Sequence, residues 1–321
     1  MNKILTTVAI SVMIAFAITG CKKSSNDATS VTQPFKADTA FTLIQSNAFP
    51  NYDGWNSIAM DTIGNKIFFY YSDATDGFRI DLLDVATGTV ATIYKHFSQS
   101  GLTTWEHSNG SECMRLRYFP NTFDGNKLIV PGGATNHFII EIKVNSDYST
   151  TFQRIDSIPD SSGGFTVLDA YDVDLTNTGQ QNNIDILSMY DCVYNMNKKF
   201  STYSVSPGVH GSSIVGQPGA LEYVFCGQSK SLEMYNGAFI RSIAMPAGEA
   251  QLQRDGKNRI YAYCGNSIFR FSSDLLTKEE FPIKGIFSGY RQSAMVFKTM
   301  PGWVQIYSFT GKDLIGMRIP R

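Results

Sequence analysis

The stretches "LEYVFCG" at residues 221–227 and "RIYAYCG" at residues 259–265 repeat nearly the same phrase 38 residues apart. Each is a short run rich in aromatic and β-branched residues that ends in Cys-Gly. Such a run is typical of a β-strand that leads into a tight turn. Repetition of a strand and its turn at this spacing predicts a repeat architecture in which each unit contains the same strand.

Similar apolar runs with turn residues beside them recur along the chain. They read "GNKIFFYYSD" from residue 64, "GNKLIVPGG" from 125, "NIDILSMYD" from 183 and "GWVQIYSFTG" from 302. Each run follows another short apolar run, and the first five units continue into further strand-like runs without helical periodicity. The pattern predicts an all-β fold, a β-propeller with six four-stranded blades over residues 38–321. Seven blades or a pair of β-sandwiches are the alternatives.

The last of the six units lacks a fourth strand, because the chain stops after "DLIGMRIPR". The run "AFTLIQSN" at residues 40–47 stands at the start of the folded part and belongs to no unit. We therefore predict that it pairs with the last blade and closes the ring. Closure of this kind removes an exposed sheet edge, which would otherwise favour aggregation.

The N-terminal segment has the features of an export signal. One cation, Lys3, precedes an apolar run that is too short for a confident membrane span, and small residues follow it. The exit "ITGC" at residues 18–21 resembles the lipobox of bacterial lipoproteins. This resemblance implies cleavage after residue 20 and acylation of Cys21, which would anchor the protein in a lipid bilayer. An ordinary secretory signal or a single membrane helix is the alternative.

Residues 21–37 form a polar segment that is too poor in apolar residues to pack, and we interpret it as a flexible tether. Lys22 follows the cysteine, and in Gram-negative lipoproteins the absence of Asp at this position implies the outer membrane. Without the signal, 26 basic and 28 acidic residues remain. This balance, with no long basic run, argues against a nucleic-acid surface.

Four cysteines follow Cys21: Cys113, Cys192, Cys226 and Cys264. An exported protein can form disulfides in an oxidising compartment, and an even number of cysteines allows all of them to pair. Cys226 and Cys264 end the equivalent strand in neighbouring units, and such positions diverge too far for a disulfide. We therefore favour free, buried cysteines that pack in the core. No cysteine or histidine spacing indicates a metal site.

The predicted functional site is the mouth of the channel, where loops enter the innermost strand of each blade. These loops carry aromatic, acidic, imidazole and guanidinium groups instead of the usual small turn residues. The candidate ligand-binding residues are Trp55, Trp105, His107, Glu112, His210, Glu249, Tyr290 and Arg291. The alternative is that each loop only turns and that its aromatic residues pack between blades.

Two classes of function fit such a mouth. In a binding module, aromatic faces stack on a glycan or a peptide of an envelope protein, while charged groups orient it. In a hydrolase or lyase, Glu112 or Glu249 acts as acid or base, His210 is its partner and Arg291 holds an anion. No local catalytic signature is present, so binding is favoured. A structural envelope scaffold is the third alternative.

The stretch "DVDLTNTGQQNNIDIL" at residues 172–187 resembles the FG-GAP/VCBS type of propeller repeat. That resemblance implies calcium held by alternating oxygens, here those of Asp172, Asp174, Thr176 and Thr178. The carboxylates of the family's turn are missing from "TNTG", and four extra residues are present. We therefore favour a long β-hairpin with an Asn- and Gln-rich tip and expect no cofactor.

Overall fold

The structure is a computed structural model of the chain, and its described elements are mainly β-strands. It describes residues 35–52, 58–73, 77–96, 116–122, 125–131, 138–157, 167–172, 184–188, 192–195, 200–204, 213–216, 221–227, 229–248, 250–255, 257–284 and 295–321. Phe35–Arg321 forms one compact unit. No helix in the described ranges has the length and apolarity needed to cross a membrane.

The described strands form six four-stranded antiparallel sheets, numbered here in chain order. Sheet 1 contains β2 (Ile58–Ile63), β3 (Lys66–Asp73), β4 (Gly77–Asp84) and β5 (Thr89–Lys95). Sheet 2 contains β6 (Arg117–Thr122), β7 (Gly125–Pro131), β8 (Phe138–Val144) and β9 (Thr150–Ser157). Sheet 3 contains β10 (Val167–Asp172), β11 (Ile184–Ser188), β12 (Cys192–Asn195) and β13 (Phe200–Ser204).

The remaining three sheets follow the same order except at the end of the chain. Sheet 4 contains β14 (Ser213–Gly216), β15 (Glu222–Cys226), β16 (Ser231–Tyr235) and β17 (Phe239–Ala244). Sheet 5 contains β18 (Ala250–Arg254), β19 (Ile260–Cys264), β20 (Ser267–Phe271) and β21 (Lys278–Pro282). Sheet 6 contains β22 (Val296–Thr299), β23 (Trp303–Thr310), β24 (Asp313–Pro320) and, as its fourth strand, β1 (Thr42–Gln45).

The first strand of each sheet lies against the first strands of neighbouring sheets. Strand β2 contacts β6 and β22, β10 contacts β6 and β14, and β14 contacts β18. Sheets arranged in this way around their innermost strands define a β-propeller. The prediction of an all-β β-propeller is therefore confirmed.

The N-terminal strand completes sheet 6. Thr42 of β1 pairs with Gly316 and Leu43 pairs with Ile315, both on β24. The backbone N–H of Asp38 donates to the carbonyl of Arg318 over 2.8 Å, so the pairing direction continues before β1. The prediction that residues 40–47 pair with the last sheet is confirmed.

The second strand of sheet 5 is buried on both of its faces. On β19, Ala262 and Cys264 pack in the core between sheets 4 and 5, whereas Tyr261 and Tyr263 pack in the core between sheets 5 and 6. Successive side chains of a strand point to opposite faces, so two apolar interfaces require an unbroken apolar run. The repeated phrase therefore records a strand that lies between two neighbouring sheets.

Candidate functional site

All eight residues of the predicted mouth lie outside the described residues, as does Cys21. The strands on either side of the mouth residues are described, and their pairing shows where each sheet is entered and left. In sheet 1, a single row across the sheet joins Ile58, Tyr71, Arg79 and Lys95. The innermost strand β2 therefore begins at the end of the sheet where the outermost strand β5 finishes.

The same relation holds in sheets 4 and 5. One row joins Ser213 to Phe225, and the next row joins Cys226, Ser231 and Ala244, which ends β17. In sheet 5 a row joins the first residue of β18 to the last residue of β21. In each sheet the innermost strand begins, and the outermost strand finishes, at one end of the sheet.

A buried arginine joins three sheets at this end. Arg117, the first residue of β6, is only 7% exposed. Its Nη1 donates to the carbonyl of Leu252 over 3.3 Å, and its Nη2 donates to Ser213 Oγ over 3.3 Å and to the Ile214 carbonyl over 3.1 Å. The guanidinium thus bridges the innermost strands of sheets 2, 4 and 5.

Side-chain oxygens hold neighbouring innermost strands together. Gln251 Oε1 accepts from the backbone N–H of Met295 over 3.0 Å, and Gln253 Oε1 accepts from that of Phe297 over 2.6 Å. The acceptor and the donor are 44 residues apart in both bonds, so β18 and β22 run in the same direction. Ser213 Oγ likewise accepts from the N–H of Leu252 over 3.1 Å. These bonds satisfy N–H groups that would be costly to bury unpaired.

Sequence reasoning missed a buried carboxylate in sheet 1. Asp81 on β4 is 1% exposed and accepts hydrogen bonds from the Tyr71 hydroxyl at 2.8 Å, Asn51 Nδ2 at 3.0 Å and Thr92 Oγ1 at 2.7 Å. Burial, and then the negative charge of Asp81, raise the pKa of Tyr71 above its ordinary range. With three donors satisfied, Asp81 serves structure better than acid–base chemistry. Its signal was an acid within the apolar run "FRIDLL".

The repeated Cys-Gly phrase is followed by a repeated polar pairing. Cys226 lies opposite Ser231, and Cys264 lies opposite Ser267. The Ser231 hydroxyl donates to Glu233 Oε1 over 2.8 Å, and the Ser267 hydroxyl donates to Glu280 Oε1 over 2.7 Å. The thiol and the hydroxyl therefore occupy equivalent positions in sheets 4 and 5, whereas the carboxylate comes from β16 in sheet 4 and from β21 in sheet 5.

Both of these cysteines are buried and neither forms a disulfide, as predicted. Cys264 belongs to the interface between sheets 4 and 5, whereas Cys226 alternates with Phe225, which packs in that interface. The Cys264 thiol therefore lies between sheets 4 and 5, whereas the Cys226 thiol points away from that interface on the other side of sheet 4. No disulfide can join them. Burial raises the pKa of Cys264 to about 11, so its thiol stays protonated and unreactive at neutral pH. Cys113 lies outside the described residues.

The predicted long hairpin is present as a pairing of β10 with β11, in which Asp172 is opposite Ile184. Asp174, Thr176 and Thr178, the other candidate calcium ligands, lie outside the described residues. Within the described ranges, no group of three or more His, Cys, Asp or Glu residues is placed to hold a metal ion.

Comparison with known proteins bears on the fold alone. No protein-family model matches the chain, and no curated protein matches it. Among solved structures, a chain in the crystal structure of a mitotic checkpoint complex is 13% identical, with 99% of each chain covered and a TM-score of 0.51. A protein of unknown function from Bacteroides caccae is 10% identical, with 73% of this chain and 80% of that chain covered and a TM-score of 0.45.

The strand topology and the first of these likenesses define the class of the protein, which is an all-β β-propeller. In total 394 solved chains match the fold, so membership of this class does not indicate one function. The function must be argued from the chemistry of the site.

Proposed function

We propose that the protein is an exported lipoprotein, anchored through Cys21, whose propeller binds a glycan or a peptide of an envelope protein. The observation that carries this proposal is topological. The predicted ligand-binding residues stand in the connections from one sheet to the next, and the described strands flanking these connections begin or finish at one end of the sheets. We further infer that the six sheets are the complete set of blades.

The described core supports this proposal because it gives the connections a firm base. Side-chain hydrogen bonds join the innermost strands at or near the end where those strands begin. They are made by Arg117, Ser213, Gln251 and Gln253. A rigid scaffold that carries variable loops is the usual arrangement of a binding protein. The loops can then differ in chemistry without loss of the fold.

The residue types in the connections suit a polar ligand with flat faces. Trp55, Trp105 and Tyr290 offer rings that stack on sugar rings or peptide groups. Glu249 and Arg291 would fix the orientation of the ligand by charge-assisted hydrogen bonds. The proposed location is the cell envelope, with the outer membrane implied by Lys22 after the lipobox.

Thermal unfolding in the presence of glycan and peptide sets tests the proposal, since a ligand that binds only the folded state raises Tm. The chain has three tryptophans, which provide a matched control. Trp55→Ala and Trp105→Ala should abolish the ligand-induced rise in Tm. Trp303→Ala should keep it, because Trp303 stacks on Phe35 at a ring distance of 6.0 Å, beside the N-terminal strand.

The other functional classes give different results in the same experiment. Turnover of a bound ligand that is lost in Glu112→Gln or Glu249→Gln, with binding retained, would replace the binding module by an enzyme. No rise in Tm with any glycan or peptide would favour a structural scaffold and contradict the proposal.

A further inference from the structure

A groove of about 800 Å³ lies where the N-terminal segment meets strands β23 and β24 of sheet 6. Residues 36–40 line it together with Thr42 and Ile44, and Gln305, Tyr307, Gly316, Met317 and Arg318 of β23 and β24 complete the lining. The volume is within the range typical of small-molecule sites.

Glycine at position 316 allows the N-terminal strand to lie close to the sheet. A Cβ atom at this position would lie 2.3 Å from Ile44 Cδ1 and 2.7 Å from Gln305 Nε2. These distances are shorter than any stable contact, so a side chain here would displace Ile44 or Gln305. The lining of the groove therefore depends on this one residue.

Two polar groups in the groove have hydrogen-bonding capacity to spare. Tyr307 is 8% exposed, and its hydroxyl makes no hydrogen bond within the part of the chain that the structure describes. Burial raises the pKa of Tyr307, so the hydroxyl is a neutral donor at physiological pH. Gln305 Nε2 donates to the carbonyls of Ile306 and Met317 over 3.2 and 3.0 Å. This fixes the amide and leaves Gln305 Oε1 as an acceptor.

The groove also carries net positive charge. Arg318 Nε pairs with Asp38 Oδ2 at 3.3 Å, so these two charges offset each other. Lys36 is exposed at the rim and makes no ion pair within the described residues. Lys36 and Tyr307 line the same groove, and an ammonium group together with a hydroxyl that has donor capacity left is a combination that recognises a carboxylate.

We propose that this groove binds a small organic carboxylate that carries a neighbouring hydroxyl or amide N–H group. The carboxylate accepts hydrogen bonds from Lys36 and the Tyr307 hydroxyl, and the neighbouring donor binds Gln305 Oε1. The side chains of Ala37, Ala40 and Ile44 contact the apolar part of the ligand. Acidic sugars and the carboxyl ends of short peptides share this chemistry. The proposal does not depend on the function assigned to the mouth.

Binding of defined probes to the full folded chain, followed by NMR chemical shifts, tests this inference. We expect D-glucuronate or acetyl-Ala-Ala to bind with saturation, and D-glucose and acetyl-Ala-Ala amide, which lack the charge, to bind far more weakly. Tyr307→Phe and Lys36→Gln should each weaken carboxylate binding about tenfold. The matched controls Tyr263→Phe, a buried tyrosine in sheet 5, and Lys143→Gln, an exposed lysine on β8, should leave it unchanged.

The ratio of the two dissociation constants distinguishes an acidic sugar from a peptide end, and either outcome supports the site. Three results would overturn it: no saturation by either carboxylate, equal binding of the neutral analogues, or unchanged affinity in both variants. Tyr307→Phe retains the ring, so a folding defect is not expected, and an unchanged Tm would verify this.

Discussion

At the scale of single residues, the side chain of Arg117 links three sheets. It is buried, and it donates hydrogen bonds to Ser213 and Ile214 of β14 and to Leu252 of β18, which are distant along the chain. Removing one partner of a buried hydrogen-bonded group leaves the other polar groups unsatisfied. Removing the guanidinium therefore leaves acceptors in sheets 4 and 5 without this donor, and it destabilises those sheets as well as sheet 2.

Arg117→Met should lower the free energy of unfolding by about 3 kcal/mol, since the methionine fills the space but leaves buried carbonyls without donors. Urea denaturation at neutral pH measures this change. Arg117→Lys should recover less than half of the loss, because a single ammonium cannot reproduce the forked geometry of the guanidinium. A loss below about 0.5 kcal/mol in the methionine variant would contradict the role given to Arg117.

Asp255 gives the structure a defined response to acid. Burial opposes its ionisation, but hydrogen bonds from the Arg259 side chain and from the backbone N–H groups of Arg259 and Lys257 outweigh this and lower its pKa. Arg259 Nη2 lies 2.6 Å from Asp255 Oδ2. A carboxylate whose pKa is lower in the folded state stabilises that state above the unfolded pKa. The contribution disappears as the pH falls through the folded pKa.

We expect Asp255→Asn to lower the free energy of unfolding by about 2 kcal/mol at pH 7, because the ion pair with Arg259 loses its buried carboxylate. The difference between the two proteins should begin to shrink as the pH falls below about 4, where the carboxylate of the unfolded chain takes up a proton, and should disappear once the pH falls below the lower pKa of the folded state. Urea denaturation across this pH range provides the test. A difference that stays constant down to pH 2 would show that the charge of Asp255 does not stabilise the fold.

Sequence reasoning reached some residues and missed others for a physical reason. Cys226 and Cys264 were correctly predicted as buried, equivalent and outside any disulfide, because the local phrase around each one reports its strand position. Arg117 could not be assigned a role, because its partners are 96 to 135 residues away. Only the folded ring brings such partners together.

At the scale of strands, burial on both faces explains why the units could be recognised. On β3, Phe68 and Tyr70 pack between sheets 1 and 2, while Phe69 and Tyr71 pack between sheets 1 and 6. Outer strands such as β17, with Phe239 58% exposed, have no such constraint and leave a weaker signal. The repeated phrase therefore marks second strands best and outer strands least.

The N-terminal strand allows a direct test at this scale. Deleting residues 38–48 should lower Tm far more than deleting residues 22–34. The first deletion removes β1 and the buried Ala48, and it leaves β24 with an unpaired edge. The second deletion shortens the segment interpreted as a tether. Equal values of Tm for the two truncated proteins would show that pairing of β1 with β24 does not stabilise the domain.

At the scale of the whole molecule, the fold class could be predicted because apolar runs recur along the sequence. The pairing of the N-terminal strand could be predicted because the last unit contains only three strand-like runs. The mouth could be predicted only as a set of residues in connections. Connections carry no periodicity, and their chemistry is not constrained by the core. The likeness to a mitotic checkpoint chain at 13% identity adds the fold and nothing about a ligand.

The proposed location of the whole molecule rests on one residue, Cys21. We expect wild-type protein to fractionate with membranes and Cys21→Ser protein to be released as a soluble or unprocessed form, because stable anchoring requires more than one acyl chain. Cell fractionation with immunoblotting measures this. Processed Cys21→Ser protein that still fractionates fully with membranes would exclude the lipid anchor.

The most direct test of the proposed binding function is the position of the predicted mouth side chains in a crystal structure at high resolution. The side chains to locate are those of Trp55, Trp105, His210, Glu249, Tyr290 and Arg291. We expect them to converge at one end of the channel, with their rings exposed to solvent. Side chains scattered over both ends, or Trp55 and Trp105 packed between sheets, would contradict a ligand site at the mouth.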